Sequence, residues 1–114
     1  MGPLERPTLG KIKKLTEAIV EKFKPQRVIL FGSWAHGKPT GDSDVDLMVI
    51  MESPQGSLRQ GAAISKSLDH IFPLDILVKS PDEVRWRLDE GDPFVREVIT
   101  RGKVLYEADS PCVG

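Results

Sequence analysis

Two apolar stretches with a glycine–serine pair between them constrain this chain most. Arg27-Val28-Ile29-Leu30-Phe31 runs directly into Gly32-Ser33, and ten residues later Asp44-Val45-Asp46 opens a second stretch that is fully apolar at Met48-Val49-Ile50-Met51. Branched and apolar residues bounded by breakers predict two strands, Arg27 to Phe31 and Asp44 to Met51. Residues two apart on a strand face the same side, so Asp44 and Asp46 are expected to project together. A third acid, Asp75, sits inside another apolar run, Phe72-Pro73-Leu74-Asp75-Ile76-Leu77-Val78. Three strand-borne carboxylates beside a small turn with free backbone N–H groups suit a divalent cation and a polyphosphate.

The remaining segments alternate with these strands. Ile12, Leu15, Ile19 and Phe23 recur at helical spacing and predict a helix over Thr8 to Lys24, ended by Pro25. A short helical piece, Trp34-Ala35-His36, follows the Gly-Ser turn. Gly37 to Ser43 is rich in breakers and predicts a loop. A second helix is expected over Ser57 to His70, with Gly61 weakening the pattern. Strand three covers Leu74 to Val78. Ser80-Pro81-Asp82-Glu83 is a helix start of the capping type, with Pro at the first helical position; that helix runs to Glu90 and stops at Gly91. Asp92-Pro93 opens another, through Arg101, stopped by Gly102. Lys103 to Glu107 reads as a last short strand, and Ala108 to Gly114 as a flexible tail. The fold class expected is α/β (α+β): one domain over residues 1–107, a short mixed sheet with helices packed mainly on one face.

Composition narrows the function. At 114 residues there is room for one core. A formal net charge of −1 gives no global reason to expect direct nucleic-acid binding. No apolar stretch is long enough to span a bilayer, so no membrane association is expected. Met1 to Pro7 has no apolar signal core, and Cys112 is the only cysteine. A reducing cytoplasm is therefore the expected location.

Three carboxylates held within about 4 Å repel one another by a few kcal/mol per pair at an effective dielectric near 20, and a bound cation removes that repulsion. Magnesium prefers carboxylate and phosphate oxygens, and two such ions about 4 Å apart stabilise both the attacking and the leaving oxygen at phosphorus. Asp44 and Asp46 would grip the triphosphate through metal. Asp75 would hold metal and help take the proton of an attacking hydroxyl. Gly32 lets a ligand approach the backbone closely, and Ser33 offers an N–H and a hydroxyl to phosphate while also suiting a helix cap.

The run Gly32-Ser33-x10-Asp44-x-Asp46 with Asp75 downstream resembles the signature of the polymerase-beta-like nucleotidyltransferase superfamily. Leu30-Phe31-Gly32-Ser33-Trp34-Ala35-His36-Gly37 and Ser43-Asp44-Val45-Asp46-Leu47 look like its minimal nucleotidyltransferase branch. The resemblance covers Val28 to Val78 well. It implies the nucleotidyltransferase fold, metal ligands at Asp44, Asp46 and Asp75, and phosphate contacts at Gly32 and Ser33. Many members carry Arg-Ala-Arg where Trp34-Ala35-His36 stands, and Lys38 is the substitute cation the sequence offers. By the same resemblance the activity is Mg2+-dependent transfer of AMP from ATP to a tyrosine hydroxyl of an HEPN-domain toxin, with this chain as antitoxin. Two rival readings are a non-catalytic module that covers the toxin sterically, and an enzyme acting on a small molecule or RNA end with its acceptor site completed by a homo-oligomer. Of the other polar and aromatic residues, Asp42 and Ser43 are expected to shape the turn and His70 to be structural. His36 and Trp34 each have both a ligand-facing and a packing reading, Trp86 is core or an exposed anchor, and Cys112 is incidental.

Overall fold

Three of the four described α-helices begin where a side chain closes open N–H groups. In the computed structural model, which describes residues 8–35, 45–68 and 74–108, Thr8 Oγ1 accepts from the Lys11 N–H at 3.1 Å and starts α1, Leu9–Phe23. Such caps satisfy donors that a first helical turn leaves unpaired. Lys24 then adopts left-handed backbone (φ 51°) and stops the helix. β1 spans Arg27–Phe31 and passes directly into a 3-10 turn, Gly32–Trp34. That turn starts two residues earlier than the helical piece expected at Trp34, because Gly32 at φ 77° swings the chain straight off the strand.

β2 is Val45–Ile50, α2 Ser57–Ser67, and β3 Leu74–Lys79. α3, Pro81–Asp89, is capped by Ser80, whose Oγ accepts from the Glu83 N–H at 3.1 Å. α4, Pro93–Arg101, is capped by Asp92, whose Oδ1 accepts from Phe94 and Val95 at 2.9 and 3.1 Å. β4, Lys103–Glu107, closes the order.

The four strands form one mixed sheet in the order β3-β2-β1-β4. β1 pairs antiparallel with both β2 and β4, while β2 pairs parallel with β3. Alternation along the strands sends side chains to two faces. On one face Val28, Leu30, Val45, Leu47 and Val49 pack with Ile12, Leu15 and Ile19 of α1 and Ile64 of α2. On the other, Ile29, Met48 and Ile50 pack with Val84 of α3 and Val95 and Val98 of α4. The two longer helices thus share one face, as expected, and the short pair also roofs part of the opposite face. Val84, Val95 and Val98 give α3 and α4 their own narrow apolar stripe, which needs that second face for burial.

Gly61 has a packing role inside α2. A Cβ built there would lie 3.2 Å from the Ile76 carbonyl oxygen of β3, so the missing side chain lets α2 sit close against the sheet edge.

Candidate active site

At one end of the α3/α4 face Asp46 and Asp75 come together. The register pairs Phe31 with Asp46 and Asp46 with Asp75. Laterally paired residues share a face, so Phe31, Asp46 and Asp75 form a row across three strands spaced roughly 4.8 Å apart. Two and four residues further along the same face, Met48 and Ile50 lie buried beneath α3 and α4. Asp46 is half-buried and Asp75 exposed. Asp75 also lines a groove of about 400 Å3 between α2 and the edge strand β3.

Gly32 completes the rim. Its φ of 77° is one that side chains disfavour, and a Cβ on it would collide with Asp46 Oδ2 and come within 3.4 Å of Asp46 Cγ. The Asp46 carboxylate therefore lies directly against the turn. Ser33 stands in the 3-10 turn, though its side chain is outside the described structure. Asp44, His36, Lys38, Asp42, Ser43, His70 and Cys112 also lie outside the described residues.

Among the described residues no three His, Cys, Asp or Glu groups assemble to hold a metal ion. Asp46 and Asp75 supply a pair of carboxylate oxygens on one face, the hard donor type that suits magnesium. The third donor expected, Asp44, would have to complete it.

A cleft of about 250 Å3 opens beside Gly32, between Phe31 and Ala35 on one side and Phe94, Glu97 and Arg101 of α4 on the other. The sequence reading missed this wall. Its signal was there in the spacing: residues 94, 97, 98 and 101 recur at the three- and four-residue steps that share a helix face. Only the packing of α4 against β1 tells that this face meets the turn. Phe31 and Phe94 meet edge to face, 5.5 Å between centroids and 83° between planes, a favoured aromatic geometry that anchors α4.

A charged network holds α3 and α4 together away from the rim. Arg87 Nε donates to Glu83 Oε2 at 2.7 Å and its Nη1 to Asp92 Oδ2 at 3.0 Å, while Lys79 Nζ donates to Glu83 Oε2 at 3.1 Å. The Arg87 hydrogen bond, with help from Lys79, holds the Glu83 carboxyl below its usual range. The Val95 N–H, with Arg87 and the Phe94 N–H, does the same for Asp92. Trp86 is exposed, with the Arg87 guanidinium 5.3 Å from its ring centre, so the core reading of Trp86 does not hold. Trp34 packs against the α1/α2 core, its Nε1 buried and without a hydrogen-bond partner among the described residues.

A mixed four-stranded sheet with an acidic pair and a glycine turn at one rim is an arrangement suited to chemistry at phosphate. Residues 13–111 match the family described as Polymerase beta, Nucleotidyltransferase. The chain belongs to that family and is a nucleotidyltransferase. It is similar to two Methanocaldococcus jannaschii proteins provisionally named as protein adenylyltransferases. One is 27% identical over 97 residues, covering 81% of this chain and 91% of the relative. The other is 26% identical over 97 residues, covering 83% and 94%. A Sulfolobus solfataricus crystal structure, provisionally called a nucleotidyltransferase, superposes with a TM-score of 0.60 at 17% identity, covering 87% of this chain and 79% of that one. A toxin–antitoxin structure with AMP-PNP gives a TM-score of 0.53 at 18% identity, covering 85% and 74%. A mutant of the toxin–antitoxin pair MntA–HpeT gives 0.51 at 20%, covering 90% and 76%.

Proposed function

We propose that this protein transfers AMP from ATP to a hydroxyl of a partner protein, with magnesium, and that the partner is a toxin it silences. The observation that carries this reading is the register of Asp46 and Asp75 beside Gly32. The relatives' name supports a protein acceptor, and the toxin–antitoxin neighbours support the partner class. The resemblance narrows the acceptor further, to a tyrosine of an HEPN-domain toxin.

Asp44, Asp46 and Asp75 would hold magnesium, which supplies charge neutralisation at the α-phosphoryl oxygens and the leaving pyrophosphate. The Gly32-Ser33 turn offers backbone N–H groups to the phosphates. The acceptor oxygen attacks the α-phosphorus, the bond to the bridging oxygen breaks, and pyrophosphate leaves. Asp75 takes the hydroxyl proton. Its exposure leaves room for an acceptor delivered by another protein.

The test is to incubate this chain with its candidate partner, magnesium and ATP, and to weigh the partner by mass spectrometry. A gain of one or more adenylyl groups is expected. A stable complex whose partner gains no mass would overturn the enzymatic reading in favour of steric cover. Label appearing on RNA ends or a small molecule, with none on protein, would overturn the acceptor assignment.

A further inference from the structure

We propose that Arg101 is the cation that receives the terminal phosphates of the nucleotide. This rests on the nucleotidyl-transfer reading above and adds a residue to it. From Val28 to Gly37 the chain has no Lys or Arg. The turn therefore brings N–H groups to a triphosphate but no fixed positive charge of its own. Among the described residues, which do not include Lys38, the cleft beside Gly32 is where such a charge stands. Of the residues lining it, Arg101 is the cationic one.

The position fits the order of groups across the sheet. The strand order β3-β2-β1-β4 sets Asp75, Asp46 and Gly32 in succession along the rim. The cleft continues past Gly32 toward the start of β4, where Gly102 forms part of its wall. With the α-phosphate at the acids and the next phosphate over the turn, the tail of the triphosphate points into this cleft. A guanidinium matches phosphate oxygens with a planar two-pronged fork. Among the described residues Arg101 is in no ion pair, so its fork is not committed elsewhere. Lys103 pairs with Leu30 on β1 and so shares the α1/α2 face, turned away from the cleft.

Two features oppose an anion here and sharpen the assignment. Arg101 ends α4, where helix carbonyls carry partial negative charge, and Glu97 lines the same cleft one turn back. Without Arg101 the cleft would repel phosphate; Arg101 offsets the Glu97 charge and supplies the donors that phosphate oxygens need.

The experiment is titration calorimetry of the whole chain with magnesium–ATP, magnesium–pyrophosphate and AMP, for wild type, Arg101→Met, Arg101→Lys and Glu97→Gln. Arg101→Met is expected to weaken magnesium–ATP and magnesium–pyrophosphate by about tenfold or more and to leave AMP unchanged. Arg101→Lys should recover part of that loss, and Glu97→Gln should tighten pyrophosphate. The unliganded melting temperature of Arg101→Met should match wild type, since the side chain is exposed. Unchanged pyrophosphate affinity in Arg101→Met overturns the proposal and leaves the nucleotidyl-transfer reading intact. So does a loss of AMP affinity in step with ATP, which would make the cleft a nucleoside pocket against Phe94. A wild type that binds neither magnesium–ATP nor magnesium–pyrophosphate overturns both readings together.

Discussion

At Gly32 two demands meet on one residue: a positive φ, and space for the Asp46 carboxylate. Gly32→Ala is expected to cost about 1–2 kcal/mol from the left-handed backbone alone. It should also push Asp46 off its place, and misplacing a catalytic group by about 1 Å costs about a hundredfold in rate. Denaturant titration and initial rates on the same preparation check the two effects; a variant with full activity would show that Asp46 need not lie against the turn. Asp46→Asn keeps the shape of the side chain and removes its charge. Transfer is expected to fall to background while the melting temperature stays near that of wild type. Retained activity would remove Asp46 from the chemistry. Asp46 and Gly32 were both legible as candidates from the Gly-Ser and Asp-x-Asp spacing. Their mutual contact was not, since spacing along a chain carries no distance through space.

At the scale of elements, the local signals worked where the physics is local. Thr8, Ser80 and Asp92 cap the helices they precede because a short polar side chain reaches only the next few N–H groups. Gly61 shows the opposite case: read along the chain it only weakens α2, whereas in three dimensions it lets that helix approach β3. Gly61→Ala gains about 1 kcal/mol of helix propensity and meets the Ile76 carbonyl 3.2 Å away. The net change is expected to stay within about 1 kcal/mol, and Gly61→Val, which adds bulk at the same contact, to destabilise by about 2 kcal/mol or more. Equilibrium unfolding of both variants checks this. A harmless valine would mean that α2 can move away from the sheet freely.

For the whole molecule, ligand and pH are the readable levers. Ligand bound only by the folded chain stabilises by mass action, about 2.7 kcal/mol at a hundredfold excess over Kd. In a domain of this size that raises the melting temperature by about 10 °C. Magnesium–ATP should produce such a rise in scanning fluorimetry and magnesium alone a smaller one; no shift in wild type at millimolar ligand would count against the site. The pH response follows from the α3–α4 corner. Glu83 and Asp92 hold their protons less readily in the folded chain than in the unfolded one. Their stabilisation is therefore complete at neutral pH and is lost as pH falls through and below their ordinary values of 4.5 and 3.8. Unfolding followed from neutral to acid pH should show this loss. It should be smaller in Arg87→Met, which removes the shared partner; an identical acid slope in that variant would show that the corner does not set it.

The sequence alone determined the order of elements and the starts of α1, α3 and α4, because each depends on contacts within a few residues; it overran the end of α2, expected at His70 and found at Ser67. Tertiary structure decided the rest. A strand register shifted by one residue would turn Asp75 to the opposite face from Asp46. That pairing is set only when β3 lies in parallel against β2 over the packed face beneath. The same holds for α3 and α4 on the second face and for the Arg101 wall beside the turn. Their positions come from burying Val84, Val95 and Val98 against strands distant in sequence, and the energy of that burial is a property of the assembled sheet.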